Sequence, residues 1–154
     1  MATDLAQIAY EASQRALDKQ ERLLDEIRSR TGLLLGASSL AASFLGRPAL
    51  EAEPAAFAVL ALTAFLLSIA TSIYVLLPKR NLVFSLIGST LYEALYEFRA
   101  DTAEVHRRLA YQLDRFWIAN DTAVQRILWA FRISAAGLAL EIVLLLAGLT
   151  GTLF

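Results

Sequence analysis

The sequence predicts an all-α membrane protein: three transmembrane helices carried on long cytosolic helical extensions that form a helical stalk. Three observations lead there. The stretch Pro54–Leu77 holds 24 residues without a charge, Asn, Gln or His. As a helix it is about 36 Å long, enough to cross a hydrocarbon core of about 30 Å. Of the 154 residues, 57% are apolar and 19% charged, against about 45–50% and about 25% in a soluble domain. The apolar excess is gathered into three blocks, 31–47, 54–77 and 133–154.

Composition also excludes several classes of activity. The net charge of −1 implies no attraction to a nucleic acid polymer. With no cysteine, disulfides, thiol catalysis and most structural zinc sites drop out. The N-terminus has no cationic stretch leading into an apolar one, so no signal peptide is expected. GxSxG, HExxH, Walker and dinucleotide-binding patterns are all missing. The expectation is a non-enzymatic chain without cofactor or metal, folded as a single domain over 1–154.

The elements follow in order. Thr3 or Asp4 can N-cap a first helix without Pro or Gly up to Thr31. Its expected apolar stripe is Leu5, Ile8, Ala9, Ala12, Ala16, Leu23 and Ile27. Thr31–Gly46 is uncharged but only 16 residues long, short for a span unless Arg28, Arg30 and Arg47 snorkel to the interfaces. Within it Gly32 and Gly36 form a GxxxG pair continued by Ser39 and Ser43. Such small residues let helices approach closely in lipid, here against the second span. A loop from Arg47 to Pro54 precedes that span, and Pro78-Lys79-Arg80 ends it.

Residues 81–89 read as an interfacial segment, with a short helix over 90–99. Asp101 and Glu104 resemble a capping box, and no Pro or Gly then occurs before Gly137. One long helix is therefore expected to run from the polar region 79–132 into the third span. Val105, Leu109, Gln112, Phe116, Ala119, Ala123 and Ala130 offer it a heptad-like seam broken at Arg126. Trp129 and Arg132 suit a membrane interface, whereas Trp117 is expected to pack internally and His106 to be solvated. Tyr92, Glu93, Tyr96, Glu97 and Arg99 form an aromatic and charged patch whose commoner use is helix packing.

Lys and Arg counts orient the spans. Five lie before the first span and eight between the second and third, against Arg47 alone in the hairpin loop. The positive-inside rule then puts the N-terminus and 79–132 in the cytoplasm and the C-terminus outside.

Glu141 is the residue that stands out. Counted from Ile133 it lies about 12 Å into the third span. A carboxylate there costs about 2.5–3.5 kcal/mol, so it faces protein or water, or is protonated. Ser134, Gly137, Glu141, Gly148 and Thr152 share one small, polar face. Two readings stay open: internal hydrogen bonding to Ser39, Ser43, Thr63, Ser68 or Thr71, or convergence of Glu141 side chains from several subunits on a polar path.

The layout of a charged N-terminal helix, a two-span hairpin ending VLLPKR, and a polar region leading to LDRFWIANDTAVQRILWAFRISAAGLALEIVLLLAGL is similar to one family. It resembles the small transmembrane effectors of bacterial antiphage systems triggered by cyclic nucleotides, of the Pycsar and CBASS type, and related SLATT-like membrane effectors. The resemblance covers most of the chain through its layout, without a diagnostic motif. It implies an inner-membrane effector that oligomerises as a homo-oligomer and permeabilises the lipid bilayer. It also implies an activating cyclic nucleotide or partner protein, for which residues 79–130 are the place. An accessory membrane subunit and a small proton or cation channel using Glu141 are the competing expectations.

Overall fold

The computed structural model describes residues 2–51, 55–79, 82–85 and 101–151. They form three helices, α1 (Ala2–Glu51), α2 (Ala55–Leu76) and α3 (Thr102–Gly151). The helix expected over 90–99, the patch from Tyr92 to Arg99 and Thr152 lie outside the described residues. No strand occurs among those described.

α3 is the long helix anticipated from the absence of Pro and Gly, 50 residues without a break. α1 is equally long and differs from expectation at both ends. It starts before Thr3 and Asp4, which are therefore inside the helix rather than capping it. It also continues through Pro48 to Glu51, where a loop was expected. Proline removes one backbone bond but leaves the following Ala-Leu-Glu, all good helix formers, free to continue.

The chain packs as two compact units, 1–24 with 79–125, and 25–78 with 126–154. In the first, α1 and α3 run parallel: the Tyr10 ring stacks on His106 at 5.4 Å, and Ser13 Oγ donates to Asp114 at 2.7 Å. Leu17 and Leu24 of α1, with Leu109, Ala110, Leu113 and Val124 of α3, are its buried apolar residues. Each such Leu or Val side chain contributes about 1.5–3 kcal/mol on leaving water. Of the stripe expected on α1, Ile27 alone is buried. Leu5 is 68% and Ile8 62% exposed, and Ala9, Ala12 and Ala16 are exposed too. The true seam is Ser13, Leu17, Gln20, Leu24 and Ile27, with heptad spacing and two polar members.

The seam expected on α3 holds at Leu109 and Ala130, both buried, and is displaced elsewhere. Gln112 and Ala119 are exposed, while Leu113, Asn120, Ile127, Ser134, Glu141 and Gly148 recur at seven-residue steps and are all buried. The interleaved positions Ala110, Val124, Leu138 and Leu145 are buried as well. Trp117 is not internal packing, being 41% exposed. His106 is not free in solvent either, since Tyr10 covers one ring face.

In the second unit α2 runs antiparallel to α3. It turns inward a face of small residues, Ala58, Ala61, Ala64, Ser68 and Ser72, followed by Val75. That face allows a close approach at Gly137, where a Cβ would stand 3.1 Å from Ser68 Cβ and 3.2 Å from the Ala64 carbonyl oxygen. Two helices, α2 and α3, are long and apolar enough to cross a membrane, and their apolar windows are only 28% and 33% buried. The segment 31–47 within α1 falls short of that length and composition, so three transmembrane helices do not follow from the helices themselves.

Candidate functional site

Six polar residues of the second unit lie in its interior. α1 brings Thr31 and Ser38, α2 brings Ser68 and Ser72, and α3 brings Ser134 and Glu141, all at most 2% exposed. Thr31 satisfies itself, donating to the Ile27 carbonyl of its own helix at 2.7 Å. Ser134 joins α3 to α2: Ser68 Oγ donates to the Ser134 carbonyl at 3.0 Å, and Ser134 Oγ donates to the Ser68 carbonyl at 3.2 Å. Ser72 Oγ and Ser134 Oγ share a further hydrogen bond at 2.6 Å, in which either hydroxyl can donate. Three hydroxyls thus hold two helices together where Gly137 brings their backbones close. Small residues and hydroxyls are how helices adhere without a hydrophobic drive between them.

Glu141 sits two turns further along α3. Its Oε2 accepts from Ser38 Oγ at 2.7 Å, a tie between α3 and α1. Its Oε1 is buried and has no hydrogen-bond partner among the described residues. None of the five partners expected for this acid is the one used. Ser39 and Thr63 donate to their own helices at Leu35 and Val59, Thr71 bonds Leu67 and Ser68, Ser68 belongs to the Ser134 cluster, and Ser43 is exposed. The seam of α1 runs through 24, 31 and 38, so position 38 points inward and 39 does not.

The same displacement governs the GxxxG stripe. Gly32, Gly36, Ser39 and Ser43 are exposed, and a Cβ at either glycine would meet nothing within 4 Å. This face does not pack against α2. The inward small residues are instead Gly137, and Gly148, whose Cβ would touch Phe57 at 3.6 Å. Ser134, Gly137, Glu141 and Gly148 therefore share one buried face of α3, while Gly32, Gly36, Ser39 and Ser43 share an uncovered face of α1.

Around this polar interior the surface is apolar. Leu33 and Phe44 are each 74% exposed, Val59 63%, Leu66 57% and Val143 61%. Trp129 is exposed with the Arg132 guanidinium 5.2 Å from its ring, a cation–π pair. A cavity of about 250 Å³ opens beside Glu141, walled by residues of all three helices.

The first unit has its own polar device, one that sequence reasoning missed. Asn120, 1% exposed, donates from Nδ2 to the Val83 carbonyl at 2.8 Å and accepts from the Val83 N–H at 3.2 Å on Oδ1. This amide clamp fixes the non-helical segment 82–85 onto α3. An Asn at a heptad core position was the available signal. The Asp101–Glu104 pair departs from a capping box: both Glu104 oxygens engage Arg107 and Arg108. Hydrogen bonds first from Arg107 and then from Arg108 hold the Glu104 carboxyl below the usual carboxylate range, and the Arg107 guanidinium is shifted upward in return. Among the described residues, no cluster of His, Asp or Glu is arranged to hold a metal.

Comparison of the chain with protein-family models, with curated proteins and with solved structures finds no match.

Proposed function

We propose that this chain is a non-enzymatic, multi-pass protein of the bacterial inner membrane that self-assembles and permeabilises the bilayer, as its resemblance to antiphage effectors implies. The observation that carries the membrane reading is the inverted polarity of the second unit. Thr31, Ser38, Ser68, Ser72, Ser134 and Glu141 are inside, and Leu33, Phe44, Val59, Leu66 and Val143 are outside. Water penalises that arrangement twice, by burying polar groups and by exposing a large apolar surface; hydrocarbon favours it. In this reading residues 31–47, 54–77 and 133–154 cross the bilayer, and the short first crossing is completed by Arg30 and Arg47 at its ends. The basic segments lie inside and the C-terminus outside.

Self-assembly is supported by the uncovered stripe Gly32, Gly36, Ser39 and Ser43, which offers a second copy the close backbone approach that α2 does not use. An activating cyclic nucleotide or partner protein would engage residues 79–130. There Arg108, Arg115, Tyr111 and Phe116 share a broad cleft on α3. The test is induction of the protein in bacteria with a membrane-potential dye. Depolarisation on activation is expected; full polarisation under every activating condition rules the effector reading out. The alternative, a small proton or cation channel, draws on the unpaired oxygen of Glu141. Unchanged transport by Glu141→Gln would remove it. An accessory subunit would leave liposomes intact at any protein density.

A further inference from the structure

The cavity beside Glu141 is a second feature of the same unit, and it is independent of assembly. Its space exists because the walls are small: Ala42 and Gly46 on α1, Ala58 and Ala61 on α2. At about 250 Å³ it exceeds the roughly 150 Å³ apolar cavity that suffices for benzene. Its two polar lining residues are Glu141 and Arg47. Glu141 lies level with Ser38, to which it is bonded. Arg47 comes nine residues later on α1, so the two mark depths about 13 Å apart along that helix.

We propose that this cavity is a binding site for a small, uncharged, apolar molecule bearing a hydroxyl group, with the hydroxyl completing the coordination of Glu141 Oε1. The chemistry of the ligand follows from three facts. Oε1 is a buried polar atom without a partner, a state that buried groups rarely keep. Ser38 occupies Oε2 alone, so the missing bond belongs on one oxygen. Whether or not the carboxyl group carries its proton, a hydroxyl can make that bond, because it both donates and accepts. An ammonium ion can only donate, and Arg47 lines the cavity with a charge of the same sign. The remaining walls are apolar and suit a hydrocarbon body. Glu141 itself lines the cavity, and the terminal torsion of a glutamate is broad enough for Oε1 to adjust to a ligand there. This site goes beyond the proposed function, and depolarisation assays do not read it.

The test uses the full chain, purified in detergent with its alanine methyl groups isotopically labelled, titrated with thymol and with p-cymene, which has the same carbon skeleton without the hydroxyl. The expected result is that thymol shifts the methyl signals of Ala42, Ala58 and Ala61 and binds about tenfold more tightly than p-cymene, the ratio given by about 1.4 kcal/mol. Glu141→Leu should equalise the two ligands, and Glu141→Gln, whose amide also donates and accepts, should keep most of the preference. Equal affinities in the wild-type chain, or no shift of these methyls with either probe because detergent chains fill the space, would overturn the proposal. The wild-type comparison decides it even where a variant fails to fold. A thymol preference that persists in a folded Glu141→Leu variant would overturn it as well.

Discussion

Replacing Ser38 by alanine takes from Glu141 the hydrogen bond that reaches it from α1. Removing one partner of a buried pair leaves the other unsatisfied, at about 1–3 kcal/mol. Interhelical hydrogen bonds measured inside membranes are weaker, averaging about 0.6 and reaching about 1.7 kcal/mol, because the unfolded chain in lipid also finds partners. The Ser38–Glu141 contact is short at 2.7 Å, and the second carboxyl oxygen has no partner to compensate. The loss is therefore expected near the top of the membrane range, about 1.5 kcal/mol. Reversible unfolding in mixed micelles measures it. Ser39→Ala is the control, since that hydroxyl is exposed and bonds its own helix at Leu35; its effect should stay within about 0.5 kcal/mol. In a Glu141→Leu background Ser38→Ala should lose most of its effect, which isolates the pair. Equal destabilisation by Ser38→Ala and Ser39→Ala would refute the register of α1 on α3.

The remaining predictions test other parts of the structure. Gly137→Ala should destabilise by about 1 kcal/mol, since overpacking against the Ala64 carbonyl exceeds the gain in helix propensity; Gly32→Ala, with open space around it, should stabilise an unassembled chain by up to about 1 kcal/mol, as thermal unfolding will report. Asn120→Ala should release both backbone groups of Val83 to water, speeding amide hydrogen exchange at Val83 and costing about 1 kcal/mol. Glu104 has a folded pKa below its unfolded one, so its contribution is present above the usual carboxylate range and disappears as pH falls through the folded value. A carboxyl-carbon titration should place its midpoint below that of an unstructured glutamate, and substituting Arg107 should move it upward.

Much of the architecture was legible because it depends on length and on helix breakers. Pro54–Leu77 and the unbroken run before Gly137 define α2 and α3 with small errors at the ends. The facing of the helices was not legible, for one physical reason. A seam was sought by following apolar residues, which is sound where burial in water drives packing. Here the inward positions are repeatedly polar or small: Ser13, Gln20, Thr31 and Ser38 on α1, and Asn120, Ser134 and Glu141 on α3. Tracing Leu5, Ile8 and Ala12, or Gln112 and Phe116, therefore picks a neighbouring face. The polar stripe through Glu141 was readable because a charge within a Leu-rich run is conspicuous by itself. The Asn120 clamp was not, because its partner is the backbone of Val83, which carries no side-chain signal.

The central claim is that the second unit is turned inside out for lipid, and the natural absence of cysteine allows a clean test. Single cysteines at Leu66 and Val143, both more than half exposed in the fold, are treated with a membrane-impermeant maleimide in unsolubilised membranes and again in detergent under denaturing conditions. The account predicts no labelling at either position until the membrane is dissolved and the chain unfolded, with Arg47→Cys labelled from outside intact cells. Prompt labelling of Leu66→Cys and Val143→Cys in the unsolubilised preparation would mean that these faces meet water, and would contradict it.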